Sequence, residues 1–149
     1  MLAELLRGPA YQAYRHCLQT SLGIPVDASE QAIHQRIVAG FSAATANTFC
    51  ALDVFSEQAF HQIVSLNTLQ RRLARGQLLS RGESDRLFRL AHVSAMAQVV
   101  FGDKHKAQRW LSKPKHRWAG QAPVALLCTH PGMGLVEQWL IQLAEGMAF

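Results

Sequence analysis

Residues 56–76 read SEQAFHQIVSLNTLQRRLARG, and the placing of turn and cap residues in that stretch decides how the rest of the chain is read. Ser56 with Glu57 opens a short helix carrying Ala59, Phe60 and Ile63, and Val64-Ser65-Leu66 breaks it. A second helix runs from about Asn67 to Arg75 and is closed by Gly76, which enters the left-handed C-cap conformation without steric cost. Two short helices joined by a tight turn form the helix-turn-helix pattern. In the second helix Leu69 and Leu73 stand one turn apart and face the core, which leaves Thr68, Gln70, Arg71, Arg72 and Arg75 outward. Arginine can bond guanine bidentately, glutamine can bond adenine, and threonine or arginine can hold a phosphate. These five residues, with Arg81 just beyond, form the candidate DNA-binding set. One such unit covers only a few base pairs, so a homodimer reading two half-sites is the expected binding form. The turn has one irregularity. Helix-turn-helix turns often carry Gly four residues after a small alanine, and here Ile63 follows Ala59 at that distance.

Charge sorts the chain in the same way. Residues 67–117 hold twelve Lys or Arg against three acids, a local balance of +9, whereas residues 1–66 and 118–149 each come to −2. A basic middle between mildly acidic ends points to a polyanion partner for the middle alone. Arg86 and Arg89 extend the expected positive field, which makes any DNA affinity steeply salt-dependent.

Outward from that centre the pattern stays helical. Upstream, a loose helix covers about 2–19, a turn falls at Gly23-Ile24-Pro25, and Asp27 or Ser29 caps a helix running into the 30s. Ser42 caps another near 42–52. Downstream, Ser80-Arg81-Gly82-Glu83 has capping-box spacing and opens a long helix to about Phe101, with an apolar stripe through Leu87, Leu90, Ala91, Ser94, Ala97 and Phe101. Gly102 ends it, and Asp103 caps a helix stopped before Pro114. After an irregular segment, Pro123–Leu127 forms a short apolar turn. Pro131-Gly132-Met133-Gly134 reads as a turn before a last helix with Leu135, Val136, Trp139, Leu140 and Leu143. No strand pattern or repeat occurs, so the expected fold is all-α. The expected division is an N-terminal helical extension (1–41), a helix-turn-helix unit (42–82) and a C-terminal helical unit (83–149).

With hydrophobic residues at 49% and charged residues at 17%, the chain can build a sizeable core. Cys17, Cys50 and Cys128 are odd in number and far apart, which argues against a disulfide framework; they read as buried small hydrophobes. No apolar run approaches the roughly 20 residues that span a bilayer. No membrane association is expected, and a cytoplasmic location is. The seven histidines show no metal spacing, and Cys128 with His130 supplies only two ligands. The close acid pairs, Glu83/Asp85 and Asp53/Glu57, read as solvent-facing, so two-carboxylate catalysis has little to work with. No catalytic residue, metal or cofactor is expected, and an enzyme is disfavoured.

Several blocks then recur in a recognisable order: Glu83-Ser84-Asp85-Arg86-Leu87, Val100-Phe101-Gly102-Asp103, Ala107-Gln108-Arg109-Trp110-Leu111 and Gly120-Gln121-Ala122-Pro123. Ala125-Leu126-Leu127, Gly132, Val136 and Glu145-Gly146-Met147-Ala148-Phe149 complete the series. This resembles the Xre/MbcA/ParS toxin-binding antitoxin family, and residues 42–82 resemble its Xre-like helix-turn-helix domain. The resemblance implies an antitoxin of a type II toxin–antitoxin system. Its partner would be a RES-domain toxin, related to ADP-ribosyltransferases, that depletes NAD. It also implies repression of the chain's own operon through operator DNA. Carried onto this sequence, the family's toxin-covering tail falls on Glu145, Gly146, Met147, Ala148 and Phe149, and Trp110, Leu111, Gly120, Pro123, Leu126, Leu127 and Trp139 become scaffold. A tail without basic groups that ends in an apolar ring suits a pocket made for an anionic, aromatic dinucleotide. The alternative is a helix-turn-helix transcriptional regulator whose C-terminal part only dimerises or senses a ligand.

Overall fold

The computed structural model describes residues 8–52 and 57–146. In chain order the helices are α1 (Pro9–Leu22), α2 (Glu30–Ala39), α3 (Ala43–Ala51), α4 (Glu57–His61), α5 (Leu66–Arg75), α6 (Arg81–Phe101), α7 (Lys104–Ser112) and α8 (His130–Gly146), with 3₁₀ turns at His116–Trp118 and Pro123–Cys128. Among the described residues there is no strand, only one isolated bridge between Ser42 and Leu78. The all-α expectation holds.

Local chemistry sets most helix ends. Ser29, Ser42, Ser65 and Ser80 cap α2, α3, α5 and α6, each accepting a hydrogen bond from the N–H three residues on. At Ser80 the reciprocal bond from its own N–H to the Glu83 carboxylate (2.8 Å) completes the capping box. Asp103 caps α7, accepting from the His105 N–H at 2.8 Å. Gly76 and Gly102 close α5 and α6 in the left-handed conformation.

α6 is the axis of the molecule, packed on by α1, α2, α7 and α8. The expected stripe is too narrow: every residue from Leu90 to Ala97 is buried, so the middle of this helix touches protein on all sides. The buried polar groups there have partners. Ser84 accepts from the Phe41 N–H at 2.9 Å, and His92 Nδ1 meets the Tyr14 hydroxyl at 2.6 Å. On its other side His92 Nε2 lies 3.6 Å from Glu137 Oε1, so one imidazole links α1, α6 and α8. Burial pushes the Tyr14 hydroxyl well above its ordinary pKa, which keeps it neutral. A single hydrophobic cluster runs from Tyr14 and Leu18 through Phe49, Leu69 and Met96 to Leu140, so all three sequence segments share one core.

The structure corrects three expectations. Residues 131–134 are not a turn; they form the first turn of α8. Proline is tolerated there because that turn's N–H groups have no helical partners, and the Gly132 N–H donates to Thr129 Oγ1 at 3.0 Å. Glycine is required at 132 because an added Cβ would lie 1.9 Å from the Leu126 carbonyl oxygen. Leu135 points out, 48% exposed, because the buried line of α8 runs through Gly132, Val136 and Leu140 instead. Of the cysteines, Cys17 and Cys50 are only half-buried and Cys128 is exposed, and none of them is in a disulfide. Glu83 and Asp85 are not bare solvent-facing acids, since each pairs with an arginine. The expected first-helix start at residue 2, the Ser56 opening and Asp53 lie outside the described residues.

Candidate nucleic-acid and partner interfaces

The helix-turn-helix stretch is held by its flanks. Beyond α5 the chain turns back on the segment before α3: the Leu79 N–H donates to the Phe41 carbonyl at 2.7 Å and the Ala43 N–H to the Gln77 carbonyl at 3.1 Å. At Gly40, with φ of 93°, a Cβ would sit 2.3 Å from the Leu79 carbonyl oxygen, so this crossing needs glycine. From α6, Arg86 donates to the Ile63 carbonyl at 3.2 Å and so grips the turn between α4 and α5.

On α5, Leu69 is buried and Leu73 half-buried, as their spacing predicts. Asn67, Gln70, Arg71, Ala74 and Arg75 share the exposed face, recurring every three or four residues. Gln70, Arg71 and Arg75 of the candidate set therefore stand together, and Arg81 is exposed at the start of α6. Two candidates are placed differently. Arg72 is half-buried and pairs with Glu83, and Thr68 is half-buried at the N-terminus of α5, its hydroxyl accepting from Ser65 Oγ at 2.8 Å. Burial raises the Glu83 carboxyl, but the hydrogen bonds from Ser80 and Arg72 outweigh it and hold the group below its ordinary 4.5. Arg89 is likewise directed at Asp85. Three arginines read as part of an outward field (Arg72, Arg86 and Arg89) are thus tied to the chain itself. Sequence reasoning passed over Asn67, exposed in the first turn of α5, where helix-turn-helix proteins place base-contacting side chains. Its position one turn before Arg71 was the available signal.

The C-terminal unit presents a different surface. Trp139 meets Trp118 and Trp110 edge-on at 4.7 and 5.5 Å between ring centres. The Arg117 guanidinium lies 4.0 Å over the Trp139 ring and Lys115 Nζ 5.2 Å over Trp110. Beside this cluster a shallow cavity of about 200 Å³ is lined by Arg117, Trp118, Leu135, Gln138, Trp139 and Gln142. Trp139 is half-buried, so it both supports α8 and borders the surface. Of the candidate tail, Glu145 is exposed and Gly146 half-buried at the end of α8; Met147, Ala148 and Phe149 lie outside the described residues. Among the described residues no group of three or more His, Cys, Asp or Glu is arranged to hold a metal, and no helix is long and apolar enough to cross a membrane.

These features define an all-α protein that offers separate polar, basic and aromatic surfaces around one buried helix. The family model of the antitoxin Xre/MbcA/ParS C-terminal toxin-binding domain matches residues 96–146, from the middle of α6 to the end of α8. An antitoxin Xre of Pseudomonas putida is 48% identical over 146 residues, which span 98% of this chain and 92% of the relative. The chain belongs to the Xre/MbcA/ParS antitoxin family.

Proposed function

We propose that this chain is the antitoxin of a type II toxin–antitoxin system, which neutralises a RES-domain, NAD-degrading toxin and represses its own operon. The observation that carries the reading is the near full-length likeness to an antitoxin Xre, together with a toxin-binding-domain match over 96–146. In this reading residues 83–149 engage the toxin, with Glu145, Gly146, Met147, Ala148 and Phe149 covering its active site. Residues 42–82 bind operator DNA through Gln70, Arg71, Arg75 and Arg81, with Thr68 and Arg72 at the margin of that face. Residues 1–41 brace the central helix. The chain acts by binding, without a reaction or cofactor of its own, as a homodimer on a two-half-site operator, and the setting is cytoplasmic because the operator is there.

The exposed face of α5 supports the operator half of the reading, since its polar side chains recur at helical spacing while Leu69 seats the helix on the core. The toxin-binding-domain match over 96–146 favours an antitoxin over a regulator whose C-terminal part merely dimerises. The test is co-expression. Growth arrest caused by the product of the adjoining gene should be relieved by this chain, and the two proteins should co-purify. A harmless neighbour, or arrest that this chain leaves untouched, would remove the antitoxin reading.

A further inference from the structure

The densest run of uncompensated positive charge lies outside the helix-turn-helix. Residues 104–117 carry six Lys or Arg and no Asp or Glu. On α7, Ala107 and Leu111 are buried against the core, and Lys106 and Arg109 lie three residues apart on the opposite, exposed side, with Lys113 exposed just past the helix end. None of the three forms an ion pair among the described residues. The nearby acid, Asp103, is engaged at the helix cap with the backbone N–H groups of His105 and Lys106, which together with the adjacent charges holds its carboxyl low. Lys115, next along, sits below its ordinary pKa because of burial first and then the Lys113 charge, a sign that cations here face cations. By contrast, three of the six arginines between residues 71 and 89 are directed at groups of the chain itself.

We propose that the exposed face of α7, carrying Lys106 and Arg109 and continued by Lys113 just past its end, is a second phosphate-gripping surface that holds the backbone of duplex DNA. The inference rests on the reading of this chain as DNA-binding and widens its contact beyond α5. Three observations favour a phosphate backbone over a protein face. The stripe has one sign of charge with no interleaved acid, and two of its three cations are lysines, which are depleted at protein interfaces. Lys104, at the start of the same helix, donates to the Leu52 carbonyl at 2.7 Å, joining α7 to the end of α3 in the helix-turn-helix stretch. Residues 118–149, with no Lys or Arg, leave a separate surface for a protein partner.

The test is the salt dependence of binding by the full chain to its own promoter fragment and to an unrelated duplex of equal length. Each phosphate contact removed should make the slope of log K against log salt shallower by about one. The variant Lys106→Gln/Arg109→Gln/Lys113→Gln should therefore lose roughly two to three from the slope on both duplexes, with its promoter preference and thermal unfolding unchanged. Lys106→Arg/Lys113→Arg, which keeps the charge, should restore the slope. In parallel, Arg71→Ala/Arg75→Ala should lose promoter preference yet retain salt-sensitive binding to both duplexes. An unchanged slope in the glutamine variant, beside lost preference in the alanine variant, would overturn this inference and leave the operator reading standing. No binding to either duplex by the unaltered chain would overturn both. Loss of co-purification with the toxin at an unchanged slope would assign the stripe to a protein face and overturn the proposal.

Discussion

Arg71 and Arg72 are adjacent in sequence, and one step around α5 separates an exposed guanidinium from one paired with Glu83. Replacing Arg71 and Arg75 with Ala should abolish the preference for the promoter over an unrelated duplex in a competition gel shift, while changing unfolding stability by less than about 0.5 kcal/mol. Arg72→Ala should do the reverse in stability, lowering it by about 1–2 kcal/mol in denaturant unfolding, because Glu83 stays half-buried without its paired guanidinium. The Glu83 carboxyl is held below its ordinary 4.5, so its contribution is fully present above that value and disappears as pH falls through the lowered folded-state pKa. Unfolding measured from pH 6 down to pH 3 should therefore show a smaller loss of stability for Glu83→Gln than for the unaltered chain. Which side chains α5 turns outward was largely legible from its two leucines. The Arg72–Glu83 pair was not: its members lie 11 residues apart across the Gly76 corner, where helical spacing carries no information.

At the scale of the elements, capping residues were the most legible feature, since a serine or aspartate satisfies N–H groups within three residues of itself. Ser29, Ser42, Ser80 with Glu83, and Asp103 stand where the sequence places them. The start of α8 was not legible, because Pro and Gly beside each other read as a turn unless a tertiary neighbour claims the space. Here that neighbour is the Leu126 carbonyl over Gly132. Gly132→Ala should accordingly destabilise the chain by about 2–4 kcal/mol, read as a fall in Tm, since backbone must move to admit the methyl group. Gly134→Ala, with nothing within 4 Å of the added carbon, is the control and should be neutral or slightly stabilising. The all-round burial of α6 was likewise hidden. Ser84, His92 and Ser94 interrupt its apolar pattern, and only the positions of Phe41, Tyr14 and Glu137 in space explain why polar groups suit that interior.

Across the whole molecule, the expected three segments share one hydrophobic cluster, with α1 and α2 packed on the same helix that carries α7 and α8. Composition read the polarity of the chain, a basic middle between acidic ends, but not its distribution. Half of the arginines between residues 71 and 89 turn to the chain itself, while the lysine-rich face of α7 remains exposed. The proposed separation of toxin and DNA surfaces predicts that deleting residues 146–149 weakens neutralisation in a co-expression growth assay and leaves promoter retardation intact. Equal loss of both would indicate misfolding instead. The most direct measurement is NAD consumption by the purified product of the adjoining gene, which the proposed function makes a RES-domain toxin, titrated with this chain. NAD loss should stop once the antitoxin saturates the toxin, and the chain lacking residues 146–149 should need a large excess to match it. NAD consumption that continues unabated at saturating amounts of the intact chain would contradict the account.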